Sequence, residues 1–436
     1  MSRPLAVVCL AAGLGKRTKV SIPKVLLPLC GRTLAACSLD ATDALQPDRT
    51  VVVLHHQKER VEAALAGRAR VTFVDQGKPM GTGHAVKVAM QALQGFDGDV
   101  LVTYGDCPLT TADTLRELRE IRGSAPCSLL TAHPDDPTGL GRILRGDDGR
   151  LVGIREERDC SDEERAIDEI NAGFYCFDAA ALRPALEALT NDNAQGEYYL
   201  TDVIAQFVQQ GREVPTLEAE DDSEILGVNS LADLAVARMV MQERILMRHL
   251  LAGVLIDDPA STFIDHDVEI GADTRILPCT VISTGCRVGK GCEVGPFAHL
   301  RAGTVLEDGA EIGNFVEAKK SVLGAGSKAK HLTYLGDATI GRKANIGAGT
   351  ITANYDGVHK HETVIGDGCF VGSGTVLVAP TEMGDRSMTG AGAITRRGST
   401  LGADEIWVGV PAKKLKMRPP TPPKGNKPKD QKEGAR

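Results

Sequence analysis

An α/β unit on a mostly parallel sheet, followed by a parallel β-helix, is the fold predicted by the 436-residue sequence. In the first half, short β-branched runs alternate with helix-like stretches. In the second, an apolar residue recurs at every sixth position. Composition agrees: aromatic residues are only 4% of the chain while glycine numbers 48, a balance suited to thin, turn-rich coils.

The strand runs are Leu5–Leu10, Val51–Leu54, Val71–Val74 and Val100–Tyr104, each bounded by Gly, Asp or Pro. Helix-like stretches such as Glu59–Ala66 and Gly83–Leu93 lie between them, which implies βαβ units. Leu231–Leu251 is rich in Ala, Leu, Met and Arg, has no Gly or Pro, and predicts a connecting helix. From Val268 the period changes. Ile270, Ile276, Ile282, Val288, Val294, Leu300, Leu306 and Ile312 keep a beat of six, with Gly following several of them. Neither a helix nor an alternating strand has that period, but a β-helix does, each short face turning one small aliphatic residue inward. The beat slips after Ile312, returns at Ile340 and Ile346, and resumes at Ile365, Val371, Leu377 and Met383. Its interruption at Thr352–Thr363 carries Asn354-Tyr355-Asp356-Gly357, and a loop ejected from a solenoid coil is a usual place for a site. The expected organisation is 1–230, a connecting helix at 231–251, a β-helix at 252–412, and a disordered basic tail at 413–436.

A net charge of −8 argues against a nucleic-acid surface. No apolar run approaches membrane-spanning length, and Met1–Ala6 lacks a signal-peptide apolar region. The 11 cysteines are odd in number and show no CxxC spacing, so reduced thiols in a cytoplasmic protein are expected.

After the first strand comes Leu10-Ala11-Ala12-Gly13-Leu14-Gly15-Lys16-Arg17, then Pro23-Lys24. A Gly-rich turn lets backbone N–H groups approach phosphate, and Arg17 and Lys24 add two cations. Taken alone, the same residues fit a tight strand–helix turn with solvated basic side chains. Gln76 and Gly81-Thr82-Gly83-His84 follow a strand, and the Gln76 amide offers the donor and acceptor a pyrimidine edge needs. Tyr104-Gly105-Asp106 stands beyond the carboxyl end of a strand, where α/β sheets bind ligands, so Asp106 is a candidate metal ligand. A lone Asp there also fits a turn or cap. Downstream, Arg301, Lys319, His331, Tyr334, Asn345 and Lys360 form a polar cluster. Two cations there could clamp a phosphate, and an imidazole titrating near neutrality could take a proton from an amine.

Leu10–Lys24 resembles the signature of sugar-1-phosphate nucleotidylyltransferases. Asp136–Ile143, Glu169–Gly173, Gly227–Asn229, Asn314–Lys319, Ser327–Gly336 and Asn354–Gly357 resemble more narrowly the GlmU family, bifunctional uridylyltransferase/acetyltransferases, to about Pro411. The resemblance implies a Rossmann-like nucleotidylyltransferase domain followed by a left-handed β-helix of hexapeptide repeats. It implies that acetyl-CoA acetylates glucosamine-1-phosphate and that UTP then uridylylates N-acetylglucosamine-1-phosphate. Leu10, Ala11, Ala12, Gly13, Gln76, Gly81, Thr82, Tyr104 and Gly105 would bind UTP, while Gly141, Glu156 and Asn171 would hold the sugar. Asp106 and Asn229 would hold Mg²⁺, with Arg17 and Lys24 facing the phosphates. Arg301, Lys319, Tyr334, Asn345 and Lys360 would bind glucosamine-1-phosphate, with His331 as base. Ala348, Asn354, Tyr355, Ser373 and Ala391 would bind acetyl-CoA. A homotrimer through the β-helix is implied, with each acetyltransferase site built from neighbouring subunits.

The chain departs from that pattern in places. Thr18 stands where a Met is expected, the repeat ahead of Arg301 is short, and Gly409 replaces an Arg near the coenzyme, with Lys413 or Lys414 as possible substitutes. A monofunctional nucleotidylyltransferase with a structural β-helix is the alternative, and a regulatory scaffold keeping both folds is a third reading.

Overall fold

The computed structural model describes residues 3–417. The chain forms two compact units, Met1–Met241 and Gln242–Arg436, and the division falls inside the helix Leu231–Leu251.

In the first unit the sheet runs Thr216–Glu218, Cys127–Ala132, Ile170–Asp178, Asp99–Tyr104, Leu5–Leu10, Arg49–Leu54, Val71–Asp75. Neighbours are parallel except Ile170–Asp178, which runs antiparallel to both strands beside it. The four expected strand runs each lie within one of these strands, and Lys58–Leu65 and Thr82–Ala92 are helices close to the expected bounds. Every residue of Leu5–Leu10 is buried, as a strand covered on both faces must be. Asp99 is buried at the foot of its strand and holds Arg122 at 2.7 Å and Arg119 at 2.8 Å, pinning the helix Ala112–Arg122. The antiparallel strand was not anticipated. It starts with Ile-Asn-Ala-Gly, and its register slips between Asn171 and Tyr175, so neither period shows cleanly. It also carries the hairpin of Arg142–Arg145 and Leu151–Arg155.

In the second unit, successive short strands distribute in turn to 10-, 7- and 8-stranded faces, parallel except for the last strand of the first, as the three sides of a left-handed parallel β-helix. Ile276, Ile282, Val288, Val294, Leu300, Leu306 and Ile312 are all buried along its axis. Where the aliphatic beat slips, Ala318 and Ala329 hold inward positions in register with Leu300 and Ile312. The coil is unbroken there, but its turns are one residue shorter, Val305 pairing with Val322 where Arg287 pairs with Val305, and two inward side chains shrink to Ala. Gly313 is obligatory, because a Cβ would lie 2.0 Å from the Lys330 carbonyl oxygen of the next coil. The corners carry buried hydroxyls that satisfy carbonyls: Thr274 donates to Gly289 at 2.7 Å and Thr304 to Arg301 at 2.7 Å. The chain leaves the coil after Ile351–Ala353 as a hairpin and rejoins it at Thr363–Ile365.

One boundary is corrected. Lys413–Met417, expected within a disordered tail, forms a strand antiparallel to Glu405–Val408 and is the last strand of the 10-stranded face. The Lys414 ammonium pairs with Glu405 at 2.8 Å, so its charge is committed to the fold. The rest of the expected tail lies outside the described residues. Among those described, no helix is long and apolar enough to cross a membrane. No disulfide links cysteines among the described residues, and burial raises the Cys9 thiol to about 12.

Candidate functional site

The front site gathers beyond the carboxyl ends of Leu5–Leu10 and Asp99–Tyr104. Gly105 donates its N–H to the Leu10 carbonyl at 3.0 Å, which aligns the two strand ends, and Ala11 donates to Val53 of the neighbouring strand Arg49–Leu54 at 2.9 Å. Asp106 accepts Val228 N–H at its backbone carbonyl at 2.8 Å, drawing Gly227–Asn229 alongside. Asn229 and Ser230 N–H both bond the Asp233 carboxylate, at 2.9 and 2.8 Å, capping the long helix. The Asn229 amide N–H donates to Gly227 O at 3.2 Å, which turns its oxygen toward Lys24.

Three of the sequence candidates meet here. The Lys24 ammonium donates to the Asp106 carboxylate and, at 3.0 Å, to the Asn229 side-chain oxygen. Asp106 and Asn229 are far apart in sequence yet share one cation. Gly13 lies against the Lys24 side chain, where a Cβ would stand 3.7 Å from Cε. Arg17 is exposed in the short turn Lys16–Thr18. Thr18, the departure from pattern, is buried and donates its hydroxyl to Gly15 O at 2.7 Å, closing that turn.

Gln76 is buried, and its amide donates to Gly81 O at 3.0 Å. Gly81 has φ 100°, and a Cβ there would lie 2.5 Å from Tyr198 O, so only Gly fits. Thr82 accepts Leu200 N–H at 3.2 Å, fastening the same edge. The three sugar candidates also come together. Asn171 N–H bonds Gly141 O at 2.8 Å, and Glu156 Oε2 would be 3.6 Å from a Cβ on Gly141. Burial raises the Glu156 carboxyl, opposed by a 3.0 Å hydrogen bond from Thr201. The Asn171 side chain donates to Tyr175 at 2.6 Å and accepts Gly173 N–H at 3.1 Å. Tyr104 forms a wall: its ring meets Phe174 edge-on at 5.9 Å, and a Cβ on Gly173 would be 2.9 Å from it. Sequence reasoning missed Thr201, Asp233 and the Tyr198 backbone. Each acts from a distant segment, with no local pattern to mark it.

The back-site candidates distribute over two edges of the 7-stranded face. Arg301 and Lys319 stand in register on successive coils, with Gly336 next in line. Arg301 donates to Glu317 at 2.7 Å, a partner the sequence reading did not find. The Lys360 side chain is the largest influence lowering the Lys319 ammonium, with the Arg301 charge adding to it. Three like charges thus crowd one corner, an arrangement that suits an anion. Tyr334 lies on the same face, and a Cβ on Gly336 would be 2.5 Å from its hydroxyl.

The opposite edge carries the rest. His331 is exposed at the corner into the 10-stranded face, one residue before Leu332. Ala348, Ser373 and Ala391 stack along this edge, linked by Gly374 N–H to Ala348 O at 2.7 Å and Gly392 N–H to Ser373 O at 2.8 Å. Asn345 lies on the 10-stranded face, in register with Lys328. Within one chain the structure therefore does not bring Asn345 or the Ala348 column to the Lys319 corner; the short face between spans about 10 Å. Asn354, buried, donates to Asp337, while Tyr355 is exposed on the ejected hairpin.

The architecture and front-site geometry define a transferase class, a nucleotidyltransferase unit joined to a hexapeptide β-helix. Residues 7–210 match the family described as MobA-like NTP transferase domain. Over nearly the whole chain the likeness is narrower. It is 42% identical to the Bifunctional protein GlmU of Geobacter sulfurreducens, covering 90% of this chain and 94% of that one. It is 43% identical to the protein of that name from Pelobacter propionicus, over 92% and 95%, and 42% to that of Synechococcus sp., over 89% and 92%. The chain belongs to the GlmU family.

Proposed function

We propose that this chain makes UDP-N-acetylglucosamine in two steps. Acetyl-CoA acetylates glucosamine-1-phosphate on the β-helix, and UTP then uridylylates N-acetylglucosamine-1-phosphate at the front sheet, releasing pyrophosphate. Membership of a family whose relatives are named bifunctional supports both halves. The observation that carries the front half is the meeting of Lys24, Asp106 and Asn229 on one positive charge.

Asp106 and Asn229 fit a divalent cation, Mg²⁺ in this proposal. Both present oxygen, both already converge on a cation, and Mg²⁺ takes few protein oxygens alongside phosphate and water. When bound, it neutralises charge on the triphosphate. Arg17 and Lys24 add positive charge facing the phosphates. The attacking sugar phosphate is already an anion, so positioning and charge are the chain's main contributions and no strong base is needed. Gln76, Gly81 and Thr82, with the Leu10–Gly13 turn, Tyr104 and Gly105, receive the uridine nucleotide. Gly141, Glu156 and Asn171 receive the sugar.

On the β-helix, the Arg301–Lys319–Lys360 corner holds the sugar phosphate, with Tyr334 and Asn345 completing its contacts. His331 takes a proton from the ammonium, and the freed amine attacks the acetyl carbonyl as coenzyme A leaves. Ala348, Asn354, Tyr355, Ser373 and Ala391 carry acetyl-CoA. Because sugar cations and donor column lie on different edges, we assign the complete site to neighbouring subunits of a trimer. An exposed apolar corner supports this: Phe297 and Phe315 stack at 5.1 Å beside Leu332, which is 64% exposed. Buried cysteines without disulfides fit a cytoplasmic setting.

The test is product analysis with glucosamine-1-phosphate, acetyl-CoA, UTP and Mg²⁺. UDP-N-acetylglucosamine should form, and chelation should stop pyrophosphate release while coenzyme A release continues. Pyrophosphate release from added N-acetylglucosamine-1-phosphate without any coenzyme A release would reduce the protein to a monofunctional nucleotidylyltransferase.

A further inference from the structure

The hairpin ejected between Ile351–Ala353 and Thr363–Ile365 is tied at both root and tip. At the root, Asn354 donates to Asp337, and His361 N–H bonds Asn354 O at 2.8 Å. Tyr355 and Lys360 pair across it, and Asp356 N–H donates to His359 O at 3.1 Å. One Asp356 carboxylate oxygen accepts Val358 and His359 N–H, at 2.9 and 2.7 Å, closing the turn from inside. The other faces a second segment: His361 Nε2 lies 2.6 Å from it, and Arg397, in the turn ahead of Ser399–Leu401, donates to it at 3.1 Å. Arg397 also approaches His361 Nε2 at 3.0 Å. One ring nitrogen cannot donate to Asp356 and accept from Arg397 together, so the triad has two hydrogen-bond arrangements. Arg397 can hold Asp356 in both.

We propose that Asp356, His361 and Arg397 form a latch, with Arg397 as a positioning residue for acetyl transfer. The proposal rests on the acetyltransferase reading of the β-helix. The physical case is the hairpin's composition. It is polar, its Tyr355 is 60% exposed and its Val358 76% exposed, so little apolar burial fixes it. Yet it carries Tyr355 toward the donor and Lys360 toward the Lys319 corner, and a small misplacement of binding groups is expensive in rate. A long-range tie by charge-assisted hydrogen bonds replaces the missing core.

The test compares Arg397→Ala and Arg397→Lys with the parent full-length chain. In Arg397→Ala, KM for acetyl-CoA and for glucosamine-1-phosphate should rise about tenfold with a smaller change in kcat. Arg397→Lys, which keeps a cation and a donor, should fall between. Uridylyl transfer in the same preparations should not change, which excludes general misfolding. Hydrogen exchange across residues 354–361 should quicken about tenfold in Arg397→Ala. Unchanged KM for both substrates overturns the positioning role, and unchanged exchange overturns the latch itself. A parent protein that releases no coenzyme A defeats the acetyltransferase reading and with it the positioning role, and exchange still decides whether Arg397 holds the hairpin.

Discussion

The two candidate sites handle charge in opposite ways. At the front, Lys24 is matched within the chain by Asp106 and Asn229. On the β-helix, Lys319 is crowded by Lys360 and Arg301, and of these the Glu317 carboxylate engages Arg301. A site that must accept a metal and an anionic nucleotide together can keep its own ions paired until both arrive. A site that must accept one anion is better left with positive charge in excess.

The largest effect expected from this contrast is at His331 and Asp106. His331→Ala should lower acetyl transfer by about 10²–10⁴-fold, read as thiol release, without altering uridylyl transfer. Asp106→Asn should lower uridylyl transfer by about 10²–10³-fold with thiol release intact. If either substitution silenced both activities in a folded protein, the two sites would not be independent. A smaller effect tests the crowding. Lys360→Met removes the main charge holding Lys319 down, so the Lys319 ammonium should titrate at higher pH, visible by NMR of its side chain. The same variant should weaken glucosamine-1-phosphate binding about tenfold. In the parent, phosphate affinity should decline with rising pH earlier than for an ordinary lysine, because the depressed group loses its proton sooner.

A further effect separates site electrostatics from stability. Burial lowers His249 to about 4, with the Arg248 charge adding to it. The unfolded group binds its proton near 6.5, so the unfolded state takes up more protons between the two values. Stability from a neutral His249 is therefore complete above pH 6.5 and lost as pH falls toward 4, by up to about 3 kcal/mol. His249→Leu should flatten the decline in melting temperature over that window. An unchanged decline would place the acid sensitivity elsewhere.

Legibility differed between the units for a physical reason. The β-helix announces itself because each coil repeats one packing problem, so Ile276, Ile282 and their successors recur on a fixed beat. The beat fails after Ile312 without a break in the coil, because Ala318 and Ala329 are small and the turns there lose one residue, Val305 pairing with Val322 where Arg287 pairs with Val305. The parallel strands of the front sheet were readable as buried β-branched runs. The strand Ile170–Asp178 was not, because its bulge mixes the two faces and its direction depends on neighbours distant in sequence. Lys413–Met417 looked like solvated tail by composition, yet its backbone pairs the last coil and Lys414 meets Glu405.

Periodicity and turn chemistry lie in the order of residues alone, so sequence by itself determined the two architectures, the Gly-containing turn after Leu10 and the placement of Asp106 beyond a strand end. Electrostatic partnership depends on distance in space. Only the tertiary structure decided that Lys24 stands between Asp106 and Asn229, that Lys319 meets Lys360, that Glu317 takes Arg301, and that Asp356 is held by Arg397.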